Sequence, residues 1–219
     1  MRDIIKKILQ PFLQYGHKKL FSKPRKYVYE NIEVIVLPKV FPPHFTLSTK
    51  ILLNYIKPID LKGKTVLELG CGSGIISLFA SSKGAKVTAT DINEIALNAL
   101  GKASKRNNLK VSIIYSDLFS NIQKSYFDYI IINPPYYPRT ANNIKEKAWF
   151  CGENFEYFEK LFQELSQRQD KNILMVLSED CNINKIKEIA SIYTLYLDCI
   201  LKKKIIIEEN FIFRIKKAA

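Results

Sequence analysis

Thr65-Val66-Leu67-Glu68-Leu69-Gly70-Cys71-Gly72-Ser73-Gly74 runs straight into Ile75-Ile76-Ser77-Leu78-Phe79-Ala80-Ser81-Ser82. The first five residues read as a strand and the last eight as a helix. Glycines between them let the backbone turn tightly and approach a ligand closely. The helix beyond the turn begins with unpaired N–H groups and a partial positive charge. A dinucleotide fingerprint requires Gly-x-Gly-x-x-Gly. Here the third glycine comes one residue early and isoleucine stands at 75, which argues against a nicotinamide dehydrogenase.

Outward from this corner, strand and helix alternate. Strands are expected over 86–90, 111–115, 127–132 and 172–177. Helices are expected over 94–107, 154–167 and 185–191. Repeated strand–helix units give a parallel sheet with right-handed crossovers. Then the pattern changes: 194–201 and 210–216 are two strands with no helix between them, which should add an antiparallel member at one edge. The result is an α/β fold with seven strands. In such sheets, ligands sit beyond the C-terminal ends of the strands. Asp91 ends the second strand, placed to accept from ribose hydroxyls. Asp117 and Leu118 follow the third, suited to an exocyclic amine and to the face of a purine.

The fourth strand, Phe127–Ile132, ends in Asn133-Pro134-Pro135-Tyr136. Proline removes a backbone donor and fixes φ, so pairing stops there. The corner leaves the Asn133 amide and the Pro134 carbonyl as acceptors and offers the Tyr136 ring as a flat face. A strand-terminating turn with a buried tyrosine is the plainer reading. The polar stretch 137–148 suits a lid, and Trp149 and Phe150 suit either a substrate-facing loop or the core.

Before residue 46 the chain has a different character. Apolar residues at 4, 5, 8, 9, 12 and 13 predict a helix over 2–15, shortened or kinked by Pro11. Residues 26–37 are β-branched and aromatic with a turn at Glu30-Asn31, which predicts a hairpin. Pro38, Pro42 and Pro43 make a rigid linker, and Thr46 or Ser48 can cap a helix running to about 55. Residues 1–45 therefore form an N-terminal helix and hairpin extension, and 46–219 the main domain.

The 219 residues carry a net charge of +13 and are 47% hydrophobic. That suffices for one full core. Residues 1–50 hold ten Lys or Arg against three Asp or Glu, and residues 201–219 hold six against two. Basic ends on a near-neutral centre suit a polyanion such as RNA, with lysine as a general solubiliser the alternative. Four widely spaced cysteines and two histidines argue against a zinc site or a disulfide framework and for a reducing cytoplasm. No apolar run approaches the ~18 residues of a membrane span, and no signal peptide is legible. His17 and His44 read as surface or linker residues, and Lys202–Lys204 as a solvated run.

Taken together, Glu68-Leu69-Gly70-Cys71-Gly72-Ser73-Gly74, Asp91, Ser116-Asp117 and Asn133-Pro134-Pro135-Tyr136 resemble a class I S-adenosylmethionine-dependent methyltransferase. The resemblance covers about 45–219 and implies a doubly wound, Rossmann-like, mostly parallel sheet with an antiparallel C-terminal strand. It implies that Glu68, Gly70, Cys71, Gly72 and Gly74 surround the methionine part of S-adenosyl-L-methionine. Asp91 with Ile92 would bind the ribose, and Asp117 with Leu118 the adenine. Asn133, Pro134, Pro135 and Tyr136 would form the catalytic corner, with Asn133 also beside the cofactor. Phe41–Phe45 resembles an aromatic segment that covers the cofactor in related enzymes. Cys151-Gly152-Glu153-Asn154 is similar to the Gly-Gly-Glu-Asp segment of release-factor glutamine methyltransferases, with cysteine in place of the first glycine. RNA base N-methyltransferases of the small-domain type are equally close.

The expectation is thus a monomeric N-methyltransferase acting on a planar amino group, with RNA (rRNA or tRNA) favoured over a protein glutamine and without metal or membrane. Lys18, Lys19, Lys23, Arg25 and Lys26 would help hold the substrate. A non-catalytic module that binds S-adenosylmethionine or RNA is the rival.

Overall fold

The structure, a computed structural model, describes residues 22–44, 46–123, 126–205 and 208–218. The helix expected over 2–15 lies outside the described residues, as do His17, Lys18, Lys19 and Phe45. The first elements are an antiparallel hairpin, β1 (Arg25–Tyr29) and β2 (Ile32–Val36), turning at Glu30 with φ +51°. Period-two alternation buries Ile32, Val34 and Val36.

Seven strands form the central sheet: β3 (Thr65–Leu69), β4 (Lys86–Asp91), β5 (Val111–Tyr115), β6 (Tyr129–Ile132), β7 (Asn172–Ser178), β8 (Leu195–Ile205) and β9 (Glu208–Lys217). Their order is β5-β4-β3-β6-β7-β9-β8. The first five run parallel. From β3 the chain builds outward through β4 to β5, then returns to place β6 on the other side of β3. The order therefore reverses between β3 and β6, and the loops after these two strands open into one crevice.

The antiparallel member is not at the edge, as its place in sequence suggested. Strand β9 lies between β7 and β8, antiparallel to both. Burial explains the exchange: Ile212, Phe213 and Ile215 of β9 are buried, whereas β8 carries the exposed Lys202, Lys203 and Lys204. The strand with more to bury takes the inner position.

Helices α1 (Leu47–Ile56), α2 (Ile75–Ser82) and α3 (Glu94–Arg106) cover one face of the sheet, and α4 (Glu156–Ser166) and α5 (Ile183–Ile192) the other. Along β3, Val66 packs with the first group, and Leu67 and Leu69 with the second. On α4, Phe158, Leu161, Phe162 and Leu165 form the buried stripe, each large side chain contributing about 1.5–3 kcal/mol relative to exposure. The hairpin packs on α2 and α3 and shares their core. It is also tied to the end of α3, because Glu33 N–H donates to Asn107 Oδ1 at 3.0 Å and Asn107 Nδ2 donates to Glu33 O at 2.8 Å.

Several boundaries move for local reasons. Strand β6 begins at Tyr129, since Phe127 and Asp128 spend their N–H groups on Asp170 Oδ1 and Thr65 Oγ1. Helix α5 begins at Ile183 because Asn182 caps it, accepting from Lys185 N–H at 3.1 Å. Thr46 stands at the cap position of α1 but makes no capping bond; its hydroxyl turns to Pro42 O and Thr49 Oγ1. No helix of the described residues is long and apolar enough to cross a membrane, and no group of three or more potential ligands among them could hold a metal ion.

Candidate active site

The turn after β3 is clamped to the end of β4. Gly72 N–H donates to Asp91 Oδ2 at 2.8 Å, and Cys71 N–H to Thr90 O at 2.8 Å. Asp91 Oδ1 accepts from Asn93 N–H at 2.9 Å. Burial raises the Asp91 carboxyl above its usual range, against the lowering effect of the Gly72, Asn93 and Ile92 N–H groups. Two of the glycines serve different ends. Gly70 holds φ +71°, and a Cβ there would meet nothing within 4 Å; its open side faces the cavity. Gly74 holds φ +73°, and a Cβ there would collide with Leu100 Cδ1, so this glycine admits α3 against α2.

Glu68 is buried beneath the turn, 4% exposed. Its Oε2 accepts from Ser77 N–H at 2.8 Å and from the Ser77 hydroxyl. Desolvation outweighs both bonds and pushes the carboxyl up to about 8.

A cavity of about 490 Å³ opens over the crevice between β3 and β6, within the usual range for small-molecule sites. Glu68, Gly70, Cys71, Gly72, Asp91, Ile92, Asp117, Leu118, Asn133 and Pro135 all line it. Gly74, Pro134 and Tyr136 do not.

Asn133 enters from the end of β6. Its Nδ2 donates to Thr49 Oγ1 on α1 at 3.4 Å, and its Oδ1 is buried with no partner among the described residues. No hydrogen bond among them reaches the Pro134 carbonyl. Two acceptors thus stand free at one corner. Unpaired buried acceptors are costly unless a ligand completes them.

Tyr136 turns the other way. Its N–H and that of Tyr137 both donate to Trp149 O, at 3.2 and 3.0 Å. The Tyr136 ring is buried in the second core cluster, 4.8 Å between centroids from that of Tyr137. Burial, then the neighbouring Tyr137, Cys181 and Glu208, drive its hydroxyl far above the ordinary range. The ring expected as a flat face lies beneath the corner. Aromatic surface reaches the cavity from Phe41, Phe150 and Tyr157 instead.

The stretch after the corner folds over the cavity. Thr140, Ala141, Ile144, Lys147 and Ala148 line it. Asn142 N–H donates to Glu146 Oε2 at 2.8 Å and leads into a short 3₁₀ turn, Glu146–Ala148. Trp149 meets Phe41 at 4.8 Å between centroids, joining this stretch to the proline linker. The linker is held in turn by Asn93 Nδ2, which donates to Lys39 O at 2.8 Å. His44 packs on Tyr27 and donates from Nε2 to Lys26 O at 2.9 Å, away from the chemistry.

Three residues of the cavity had no signal in the sequence strong enough to mark them. Thr49 is one threonine among several near a helix start. Tyr157 and Lys160 share a face of α4 next to its apolar stripe, and the apolar stripe dominates the pattern. Lys160 Nζ lies 2.5 Å from Asp117 Oδ2.

The methyltransferase small domain family model matches residues 31–150. A Methanocaldococcus jannaschii protein assigned as a protein N5-glutamine methyltransferase is 39% identical over 114 residues, 52% of this chain and 55% of that one. Ribosomal RNA small subunit methyltransferase C of Actinobacillus pleuropneumoniae is 35% identical over 133 residues, 59% of this chain and 39% of that one. The chain thus spans about half or less of the length of these relatives. Among solved structures, the T. thermophilus 16S rRNA methyltransferase RsmC, in complex with AdoMet and guanosine, shares the fold with a TM-score of 0.61 at 17% identity, over 88% of this chain and 50% of that one.

Proposed function

Because the chain belongs to the methyltransferase small domain family, we propose that it transfers a methyl group from S-adenosyl-L-methionine to a planar, conjugated amino nitrogen, with a base in RNA as the acceptor. The observation that carries this reading is the free, buried Oδ1 of Asn133 at the cavity wall.

The residues present fit the cofactor. Gly70 leaves space where any other residue would place a Cβ, Asp91 and Asp117 present carboxylates, and Leu118 presents an apolar surface. Bound there, S-adenosylmethionine supplies a methyl group activated by its sulfonium. Asp91, already fixed by Gly72 and Asn93, accepts from the ribose hydroxyls. Asp117 accepts from the exocyclic amine of the purine.

A conjugated amine is a poor nucleophile because its lone pair is delocalised. Asn133 Oδ1 would accept one of its hydrogens at the cavity wall, and the Pro134 carbonyl, next in the chain and outside the lining, would take the other once the target enters the corner, so that the nitrogen stays in line with the methyl group. As positive charge builds on that nitrogen, both bonds strengthen, which stabilises the transition state over the ground state. Thr49 keeps the amide turned so that oxygen, and not nitrogen, faces the acceptor. The methylated nitrogen then loses its proton to water, and no side-chain base is needed.

The net charge of +13 and the likeness to rRNA methyltransferases support RNA. A second reading, a protein glutamine, is supported by the M. jannaschii relative and by Cys151-Gly152-Glu153-Asn154. In either reading the extension through residue 45 holds the substrate; there Lys26 is paired with Glu33, and Lys23 is exposed. We place the enzyme in the cytoplasm as a monomer. Tritiated-methyl transfer into a cell lysate, followed by nuclease or protease digestion, tests this. Label released by nuclease supports RNA, label released by protease supports the second reading, and no label overturns the activity.

A further inference from the structure

On α4, Tyr157, Lys160 and Glu164 follow at i, i+3 and i+7, on a face beside the buried stripe. Lys160 Nζ stands 2.5 Å from Asp117 Oδ2 and 4.0 Å from Glu164 Oε1. Glu164 Oε2 accepts the Phe119 N–H at 3.0 Å. Between these two grips sits Leu118, buried and held at φ +52°, a region that leucine rarely adopts. Ser116 Oγ donates to the Leu118 carbonyl at 2.8 Å. Helix α4 thus holds the turn after β5 on both sides of its strained residue, and Lys160, Asp117 and Leu118 all line the cavity.

We propose that Lys160 is a specificity-determining residue for the purine end of the cofactor, an inference that rests on the cofactor reading above. With Oδ2 engaged by the ammonium in a partly exposed pair, Asp117 keeps Oδ1 as a hydrogen-bond acceptor. That arrangement selects a purine with a 6-amino donor over one with a 6-oxo acceptor. Without Asp117, the same ammonium becomes a free donor at the same place, and the selection turns towards the 6-oxo purine.

Calorimetric titration of S-adenosylhomocysteine and S-inosylhomocysteine onto the wild type, Lys160→Met, Asp117→Ala and the double variant tests this. The wild type should favour the adenosyl thioether by about 10-fold or more, and Lys160→Met should cut that ratio by about 3-fold or more at an unchanged melting temperature. Asp117→Ala should abolish or invert the preference, and the double variant should show none. A Lys160→Met protein with the wild-type ratio overturns the role of Lys160 alone. A wild type that binds neither thioether overturns the cofactor reading itself.

Discussion

Asn133 and Thr49 lie 84 positions apart in the chain, yet the Nδ2 of one donates to the Oγ1 of the other at 3.4 Å. The bond joins the end of β6 to the first turn of α1 and engages the nitrogen of the amide, leaving the buried Oδ1 without a partner among the described residues. Thr49 is buried, so water does not replace its hydroxyl readily.

Thr49→Val keeps the shape and removes the hydroxyl. Methyl transfer should fall about 10-fold, the loss of one hydrogen bond's worth of transition-state alignment. Affinity for S-adenosylhomocysteine should stay within about 2-fold, and Thr49→Ser should restore transfer. Equal turnover in the valine and serine variants would contradict the orienting role.

Asn133→Ala removes the acceptor proposed to serve the transition state. Transfer should drop by about 10²–10³ with thioether affinity nearly intact. Asp91→Ala should show the reverse emphasis. It removes the carboxylate that clamps Gly72 as well as the proposed ribose acceptor, so affinity should fall by about 10-fold or more. Titration calorimetry and tritium incorporation, run on both variants, separate the two effects.

Glu68 links the site to pH. Its folded-state carboxyl is pushed up to about 8 from an ordinary 4.5, so the folded state holds the proton more tightly than the unfolded state does. Its contribution to stability is fully present below pH 4.5 and is lost as pH rises through 8. Glu68→Gln fixes the neutral form. Between pH 5 and 9 the wild type should lose on the order of a few kcal/mol relative to the variant. Parallel melting curves for the two across that range would detract from this account.

Gly70→Ala and Gly74→Ala place the same methyl group in opposite settings. At Gly74 the Cβ collides with Leu100 Cδ1, and the melting temperature should fall with a loss of about 1–3 kcal/mol. At Gly70 the Cβ has open space, so the cost is chiefly backbone strain, about 1 kcal/mol, while the methyl intrudes on the cofactor. The first variant should mainly be unstable and the second should mainly bind poorly.

Much of this arrangement was legible from pattern alone. Strand β3, helix α2 and strand β5 fall on the residues where β-branched alternation and helical spacing put them, and the hairpin turns at Glu30-Asn31. The ends of β3, β4 and β5 meet at one cavity because parallel strands all finish on one side. Pattern says nothing of lateral order once two apolar strands follow each other, so the inner place of β9 was hidden. Tyr136 was read as a flat face for the target, with a buried tyrosine as the plainer alternative; its N–H and that of Tyr137 both donate to Trp149 O, and its ring enters the second core cluster. Thr49 and Lys160 make their contacts across the fold, and a contact between distant segments leaves no trace in either one.

During synthesis, β7 is finished long before its outer neighbour exists. Strand β8 emerges next but takes the position beyond, so β7 presents a bare row of backbone donors and acceptors until residues 208–217 leave the ribosome. A nascent chain paused in this interval offers Ile173–Leu177 to any other extended segment. A stop codon ahead of β9 would therefore yield an aggregating product, even though every residue assigned to the chemistry has already been made.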